Sequence, residues 1–370
     1  MLFRSGKNSR YRYEFICLFS KFKPELINPN LLGNAPLVLE DPNDGTVPLN
    51  SSFYVSRKQV EDRCYETVLK PGSLIRIKGP QMMGKTSLLE RVLERAENNS
   101  YQTLYLDMTS VDLGTLTRLD KFLRWLCVMV QRRLKLKDKL NDYWAEILGP
   151  NSNCTDYFEE YLLNEIDSPI VLAFDDIDRL FHYPKEVAED FFGMLRSWHE
   201  NGKKNSLWQQ LRLVVAHSTE AYIPLDINRS PFNVGVPIEL PEFNREQVLD
   251  LAKRHNLKWQ NDEVDKFMEI VGGHPYLVRL GLYHLGKQEL SLRKLLENAA
   301  TEEGIYKKYL QELLLTLQEA PELPDAFKKV VTSPEPVELN SIQIYKLDIM
   351  GLVQIQDKDR KSTRLNSSHT

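Results

Sequence analysis

The sequence predicts an α/β fold in which a doubly wound parallel sheet is followed by a helical domain. Three observations support this prediction. Short apolar segments rich in Val, Ile and Leu alternate with helical patterns over residues 51–243, as buried parallel strands do. A glycine-containing loop of phosphate-binding type follows the first of these segments. From residue 244 onward the strand patterns stop and helical patterns continue.

Composition places the chain among folded soluble proteins. It has 370 residues, of which 42% are hydrophobic and 27% charged, and its formal net charge is -4. A charge of this size gives no overall attraction for nucleic acid, and no apolar run reaches the roughly 20 residues of a membrane span. The four cysteines are scattered without a C-x-x-C pair, which is typical of reduced thiols in a cytoplasmic protein.

Both ends of the chain are predicted to be non-biological. Residues 359–370 resemble the translation of a sequencing-library adapter, and residues 1–5 resemble its complementary end. We therefore exclude both from the fold prediction. Residues 6–50 are irregular and rich in Pro and Asn, which indicates a linker or the remnant of an upstream domain. The predicted folded units are residues 51–243 for the sheet domain, 244–320 for the helical domain and 321–358 for a truncated winged-helix-like module.

The predicted elements follow from local patterns. Asn244 and Gln247 have the spacing of a capping box, Gly272 and Gly273 end a helix, and Pro275 begins the next one. The predicted strands are Leu74–Lys78, Gln102–Asp107, Ile170–Phe174, Leu211–His217 and Val236–Leu240. The predicted helices of the second half are Glu246–Arg254, Asp262–Val271, Tyr276–Leu285, Ser291–Ala299 and Ile305–Gln318. Residues 352–355 are predicted to form a closing apolar strand of the last module.

Residues 79–86 match the P-loop pattern G-x-x-x-x-G-K-[ST] between a predicted strand and a predicted helix. This arrangement directs backbone N–H groups and a helix N-terminus toward phosphate oxygens. Lys85 is predicted to reach the outer phosphates and to assist catalysis, and Thr86 is predicted to hold Mg²⁺ through its hydroxyl. The predicted contacts to ATP or ADP are Gly79, Pro80, Gln81, Met82, Met83, Gly84, Lys85, Thr86 and Ser87.

The apolar strand that begins at Ile170 is followed by two acids, as in a Walker B motif. Asp175 is predicted to hold the water shell of Mg²⁺, and Asp176 to orient or deprotonate the attacking water. An aspartate at this second position has a shorter reach than the usual glutamate, which predicts slow hydrolysis. His217, Ser218 and Thr219 end the next predicted strand, and any one of them could sense the γ-phosphate or cap the strand end.

These segments together resemble the STAND branch of the AAA+ ATPases, and more narrowly the bacterial AAA-like domain. The resemblance rests on the P-loop, on residues 53–57 with Glu61, on residues 71–78 and on residues 272–277. It implies that Tyr54 and Arg57 line the adenine pocket and that Pro275 packs near the adenine from a helical lid domain.

The resemblance also implies a function. STAND proteins hold ADP in a closed form, exchange it for ATP, and then oligomerise to bring fused effectors together. The expected partners are therefore the nucleotide, further copies of the chain, and sensor or effector domains outside this fragment. Two alternatives remain: a nucleotide-dependent scaffold with little hydrolysis, and a DNA-dependent AAA+ ATPase. Residues 324–356 mix lysines with acids, so we do not expect nucleic acid as a partner. We do not expect a membrane either, because no apolar run is long enough to span one.

Overall fold

The computed structural model describes residues 39–218, 233–318, 320–356 and 362–364. Thr219, the two predicted adapter-derived ends apart from residues 362–364, and most of the predicted linker lie outside these residues. From Glu40 onward the described residues belong to one compact unit.

A five-stranded parallel sheet forms the centre of the first half of the chain, as predicted. The strand order is β2-β3-β4-β1-β5, and every described pairing in this sheet is parallel. Two strands differ from the predicted bounds by one residue each. The strands are β1 (Leu74–Lys78), β2 (Gln102–Asp107), β3 (Ile170–Asp175), β4 (Leu211–His217) and β5 (Val236–Glu239).

The central strands are covered on both faces because nearly all of their side chains are apolar. Every residue of β3 and β4 is buried. Along β3, Leu172 and Phe174 join one hydrophobic cluster, whereas Val171 and Ala173 join another. This alternation is the two-residue period of a strand, so each face of the sheet has its own core.

Helices pack on both faces of the sheet. Those before the last sheet strand are α1 (Lys58–Val68), α2 (Lys85–Glu97), α3 (Leu113–Leu116), α4 (Leu119–Arg133), α5 (Leu140–Tyr143), α6 (Pro150–Asp156) and α7 (Lys185–Gly202). A π-helical turn, Tyr157–Leu162, continues α6, and short 3₁₀ turns span Pro42–Asp44, Met108–Ser110, Ile177–His182 and Trp208–Gln210. Phe122 and Leu126 of α4 are buried against one face, and Leu88 and Val92 of α2 against the other.

The second half of the chain is helical, as predicted. The capping box of Asn244 and Gln247 is present, and Pro275 begins a helix. These helices are α8 (Arg245–Arg254), α9 (Asn261–Val271), α10 (Pro275–Gly286), α11 (Leu292–Asn298), α12 (Lys307–Gln318), α13 (Leu323–Thr332) and α14 (Ser341–Ile349). None of the helices in the described part of the chain has the length and apolar character of a membrane span.

The last segment has a small core of its own. Leu323, Val330, Leu347 and Val353 belong to a separate buried cluster. Val353 precedes a short strand, β6 (Gln354–Gln356), so the closing strand begins later than residue 352. This strand pairs antiparallel with β7 (Ser362–Arg364), which lies in the stretch predicted to be adapter-derived. The pairing does not test that origin.

The order of the strands positions the site. Because β4 lies between β1 and β3, the chain after β1 and the chain after β3 reach the same edge of the sheet with the end of β4 between them. Lys78 of β1 is in register with His217 of β4, and Asp107 of β2 with Asp175 of β3. In parallel sheets, ligands bind at this carboxyl edge, where the connections diverge to opposite faces.

Three buried histidines predict how stability depends on pH. Burial lowers the pKa of His217 to about 3 and the pKa values of His255 and His274 to about 4. The folded state therefore binds fewer protons than the unfolded state, whose histidines titrate near 6.5. The stabilisation is fully present above this value and is lost as the pH falls below it. Asp176 opposes the effect in part, because burial and neighbouring acids raise its pKa to about 6.

We expect the free energy of unfolding to fall by roughly 3 kcal/mol between pH 7.5 and pH 5.5 in metal-free protein, measured by urea denaturation. In a His255→Gln variant the fall is expected to be about 1 kcal/mol smaller, because one of the three titrations is gone. An unfolding free energy that is constant or larger at pH 5.5 would contradict the assignment.

Candidate functional site

The predicted phosphate loop connects β1 to α2 and has the backbone of an anion-binding turn. Met82 and Gly84 have positive φ angles of 58° and 89°. Gly84 is the N-cap of α2, and no side chain caps the first N–H groups of this helix. Uncapped N–H groups at a helix N-terminus carry partial positive charge, so this loop can accept a phosphate.

Lys85 is buried at the first position of α2. Lys85 is 6% exposed, and its Nζ donates to the carbonyl oxygens of Gly79 and Pro80 over 3.0 and 2.8 Å. Burial lowers the pKa of Lys85, and the charges of Asp178, Asp176 and Asp175 oppose this shift. The sheet therefore brings the loop lysine into the field of the acids that follow β3, as the sequence predicted for two of the three.

The two predicted acids have different surroundings. Asp175 is 2% exposed; its Oδ2 accepts from the hydroxyl of Tyr105 over 2.9 Å and its Oδ1 from the N–H of Asp176 over 3.1 Å. Asp176 has a left-handed backbone with φ of 48°, which is uncommon for a residue other than glycine and often marks functional positions. Its pKa is raised to about 6 by burial, then by Asp175 and Asp178. A carboxyl group with such a pKa can exchange a proton near neutral pH.

A cavity of about 570 Å³ joins the loop, the acids and the helical half of the chain. From the phosphate loop and α2 it is lined by Gln81, Met82, Gly84, Lys85, Thr86 and Ser87. The edge of the sheet contributes Thr109, Asp176, Asp178, Arg179, His182 and Ser218. The helical half contributes Pro275, Tyr276, Arg279, Lys308, Tyr309 and Glu312. Residues before α1 complete the lining with Pro42, Asn43, Gly45, Thr46 and Val47.

Some residues predicted to contact the nucleotide lie outside this lining. Gly79 and Pro80 line a smaller cavity of about 140 Å³ together with Asp348. Met83 is buried with 3% of its surface exposed. Asp175, which was predicted to act on Mg²⁺, is 2% exposed and hydrogen-bonded to Tyr105, and it does not line the larger cavity either.

Tyr54 and Arg57 were expected in an adenine pocket, but neither residue lines the cavity of about 570 Å³. The ring of Tyr54 lies 3.4 Å from the guanidinium carbon of Arg91, and its hydroxyl donates to Glu61 over 2.8 Å. Arg57 lies against the phosphate loop, where Nη2 donates to the carbonyl oxygen of Met83 over 2.9 Å. Both side chains support the loop and α2 from outside the cavity, because the buried Glu61 holds the turn that carries them.

Among the residues at the end of β4, Ser218 alone of the described ones lines the cavity. His217 is fully buried beside Lys78, and burial lowers its pKa to about 3, so it is neutral. Thr219 is outside the described residues. Of the two that are described, the geometry favours Ser218 as the group within reach of a ligand.

Residues 40–48, called the strap here, belong to the stretch predicted to be a linker or the remnant of an upstream domain, and they are held at both ends. At one end the N–H of Val47 donates to Oγ of Ser87 over 3.0 Å. Arg91 donates to the carbonyl oxygens of Val47 and Pro48 over 3.1 and 2.8 Å. The strap is therefore fixed to α2 directly beside the phosphate loop.

The other end of the strap is bound to α10. The hydroxyl of Tyr276 donates to Oδ1 of Asn43 over 2.9 Å, and the hydroxyl of Tyr283 donates to Oδ2 of Asp41 over 3.3 Å. Arg279 lies 3.6 Å from the carboxylate of Glu40. The strap thus connects the helical half of the chain to the phosphate-loop helix and closes one side of the cavity.

Sequence reasoning missed several lining residues. Two of them could have been found from the sequence: Asp178 follows the predicted base Asp176 by two residues, and Tyr276 is adjacent to the predicted Pro275. Arg279, Tyr309 and the strap could not, because they reach the cavity only through long-range packing.

An Arg91→Met substitution tests the attachment of the strap to α2. Arg91 is 6% exposed and makes three hydrogen bonds to backbone carbonyls, two of them on the strap. Its loss is expected to lower the free energy of unfolding by about 2 kcal/mol and to speed amide hydrogen exchange at residues 45–49. Arg95→Met is the matched control, since Arg95 is exposed on the same helix. Equal exchange rates in both variants would contradict this attachment.

Solved structures match the fold at low sequence identity. A Walker-type ATPase of Pyrococcus abyssi is 15% identical with a TM-score of 0.57, and the match covers 85% of this chain and 93% of that chain. The Aeropyrum pernix ORC2 protein in ADPNP–ADP complexes is 13% identical with a TM-score of 0.49, covering 88% and 92%. The ORC1 protein of the same organism, in complex with DNA, is 14% identical with a TM-score of 0.43, covering 86% and 92%.

At these identities the likeness to the Pyrococcus protein shows the fold alone. Nothing about this chain is inferred from the two matches with lower TM-scores. The expectation that nucleic acid is not a partner therefore stays untested. Comparison with curated proteins gives no match. The AAA-like domain family, in contrast, matches residues 42–365, which include the strap from Pro42 onward, the sheet, the phosphate loop and the helical half. The chain therefore belongs to the AAA-like domain family.

Proposed function

We propose that this protein is an ATP-binding switch of the STAND type that hydrolyses ATP slowly and couples its nucleotide state to self-association. The observation that carries the proposal is the shared cavity. The phosphate loop, the acids after β3 and the helical half all line the same space of about 570 Å³, which lies within the usual range for small-molecule sites. A ligand there touches both halves of the chain, as a switch requires.

The residues of the loop fit a triphosphate. Gly84 and the first turn of α2 offer uncapped N–H groups, and Lys85 supplies a buried positive charge at the same place. Lys85 would exchange its bonds to loop carbonyls for bonds to the outer phosphates. Such charge-assisted hydrogen bonds are stronger than those to neutral carbonyls.

Magnesium fits as a companion of the nucleotide. Within the described residues there is no cluster of three or more His, Cys, Asp or Glu side chains that could hold a metal ion by itself. Mg²⁺ commonly takes one or two protein ligands and completes its shell with water and substrate phosphates. Thr86 would provide a direct hydroxyl ligand, and Asp175, which lies behind the cavity wall, would act through a bound water.

Asp176 is the proposed general base. It lines the cavity, and its raised pKa suits proton transfer near neutral pH. The short aspartate side chain places the carboxylate farther from the attacking water than a glutamate would, which supports slow turnover. Ser218 is the proposed sensor of the γ-phosphate. A nucleotide-dependent scaffold with little hydrolysis is the second candidate, and the length of Asp176 is the observation that favours it.

In this proposal residues 244–320 act as the lid domain, and residues 321–358 as a winged-helix-like module. Pro275 would pack near the adenine, and Tyr276 and Tyr309 would form the neighbouring wall. Moving such a switch from mostly closed to mostly open takes about 5.5 kcal/mol of differential binding. Contacts to a γ-phosphate from Lys85, Mg²⁺ and loop N–H groups can supply this order of energy.

A Lys85→Ala substitution is expected to weaken binding of Mg·ATP by about 100-fold, because a buried charge-assisted contact to phosphate is lost. Isothermal calorimetry on folded protein measures this. Lys70→Ala removes an exposed lysine away from the cavity and is expected to bind as the unchanged protein does. If the unchanged protein releases no heat with adenine or guanine nucleotides, the proposed function is wrong.

An Asp176→Ala substitution is expected to leave the affinity for ATP within about threefold and to lower turnover by about 100-fold or more, because the base acts only on the attacking water. Phosphate release under single-turnover conditions measures the second effect. Loss of binding as severe as in Lys85→Ala would show that Asp176 has a different role. An unchanged protein that binds ATP without releasing phosphate would favour the scaffold.

A further inference from the structure

We propose that Arg57 and His274 are positioning residues, which orient the N–H donors of the phosphate loop toward the cavity and couple this loop to the helical half of the chain. They act through two backbone carbonyls of the loop and do not contact the nucleotide. The inference rests on the proposed nucleotide binding and deepens it, because it assigns the parts that shape the phosphate site.

Arg57 is a rigid, buried donor behind the loop. Arg57 is 7% exposed, and its Nη2 donates to the carbonyl oxygen of Met83 over 2.9 Å. Its own N–H donates to Oε1 of Glu61 over 2.7 Å. Glu61 also accepts from the hydroxyls of Tyr54 and Ser56 over 2.8 and 2.7 Å. Three donors thus fix the carboxylate of Glu61, which in turn fixes the backbone that carries Arg57.

His274 holds a second carbonyl of the same loop. His274 is 7% exposed, and its Nε2 lies 3.2 Å from the carbonyl oxygen of Gln81. A carbonyl oxygen can only accept, so we assign the proton to Nε2. The hydroxyl of Tyr309 lies 3.3 Å from the same nitrogen and packs beside the ring.

Because of the geometry of the peptide bond, these two contacts also fix the direction of two N–H groups in the phosphate loop. In a trans peptide the C=O of one residue points opposite to the N–H of the next. The carbonyl of Gln81 therefore sets the direction of the N–H of Met82, and that of Met83 sets the N–H of Gly84. Met82 and Gly84 line the cavity, whereas Arg57 lies outside its lining. Rotation of either peptide would break a hydrogen bond to a buried side chain, which is costly.

Arg57 and His274 both connect the phosphate loop to the same turn of the helical half, residues 272–275. The guanidinium of Arg57 lies 4.9 Å from the centre of the Phe243 ring. The N–H of Phe243 donates to the carbonyl oxygen of Gly273 over 2.8 Å. A Cβ on Gly273 would lie 2.1 Å from the carbonyl oxygen of Phe243, so these two segments are in direct backbone contact. His274 follows Gly273 in the sequence. The phosphate loop is therefore connected to the turn at residues 272–275 in two ways: directly through His274, and through Arg57 and Phe243.

The test compares Arg57→Met, Arg57→Lys and His274→Leu with the unchanged chain, using Mg·ATP as the probe. We expect Arg57→Met and His274→Leu each to weaken ATP binding by about 10-fold or more in calorimetry, since each leaves a loop carbonyl without its donor. Arg57→Lys keeps a cationic donor and is expected to recover at least part of the affinity. Addition of ATP should slow amide hydrogen exchange at residues 79–86 and also at residues 243–248 of the unchanged chain. In Arg57→Met the second protection should be lost.

Arg254→Met is the matched control. Arg254 also joins the segment before α1 to the helical half, donating to the carbonyl oxygens of Ser52 and Tyr54 over 2.9 and 2.8 Å, but it does not touch the loop. It is expected to lower stability and leave ATP affinity unchanged.

The proposal is overturned if Arg57→Met and His274→Leu melt at lower temperature but bind ATP as the unchanged chain does. It is also overturned if Arg57→Met retains ATP-dependent protection at residues 243–248. If Arg57→Met does not fold, Arg57→Lys and His274→Leu decide the matter. Failure of the unchanged chain to bind ATP would instead remove the proposed function itself.

Discussion

The parallel pairing of β1, β4 and β3 is the constraint on which the site depends. Each strand is short and apolar, so it is stable only when both faces are covered and its neighbours are in register. With β4 in the middle, the ends of three strands meet at one edge. The phosphate loop, Ser218 and the acids are brought together by this register, although Asp176 comes 91 positions after Lys85 in the sequence.

Charge at this edge is concentrated and partly buried. Lys85 has to keep its proton in a poorly solvated position, and the three nearby aspartates oppose the loss of that proton. Burial, and then the charges of Asp175 and Asp178, raise the pKa of Asp176 at the same edge. Acidic and basic side chains share this edge, because Arg179 lines the cavity together with Lys85, Asp176 and Asp178.

The elements of the sheet were predictable because burial leaves a strong pattern in short segments. Strand β4 was predicted at its true bounds, and β3 and β5 were within one residue, as boundaries usually vary. The loop motif was predictable too, because only glycine and few other residues tolerate its backbone. The helix expected from Ile305 begins at Lys307, because the chain turns at Gly304 before the helix hydrogen bonds start.

The walls of the cavity were not predictable from local pattern. Tyr309 and the strap contribute through contacts with residues far along the chain, and no periodicity encodes such packing. Arg57 shows the same limit. The resemblance implied that Arg57 lines the adenine pocket, whereas the structure shows its guanidinium donating to the carbonyl of Met83, outside the cavity lining.

The strap also restricts how the two halves can move. It is attached to Ser87 and Arg91 on α2 and to Tyr276 and Tyr283 on α10, with few residues between the two sets of bonds. A rotation that separates α10 from α2 by more than this short tether can span has to release one attachment. The side that gives way first determines whether the chain segment travels with the helices or stays with the sheet.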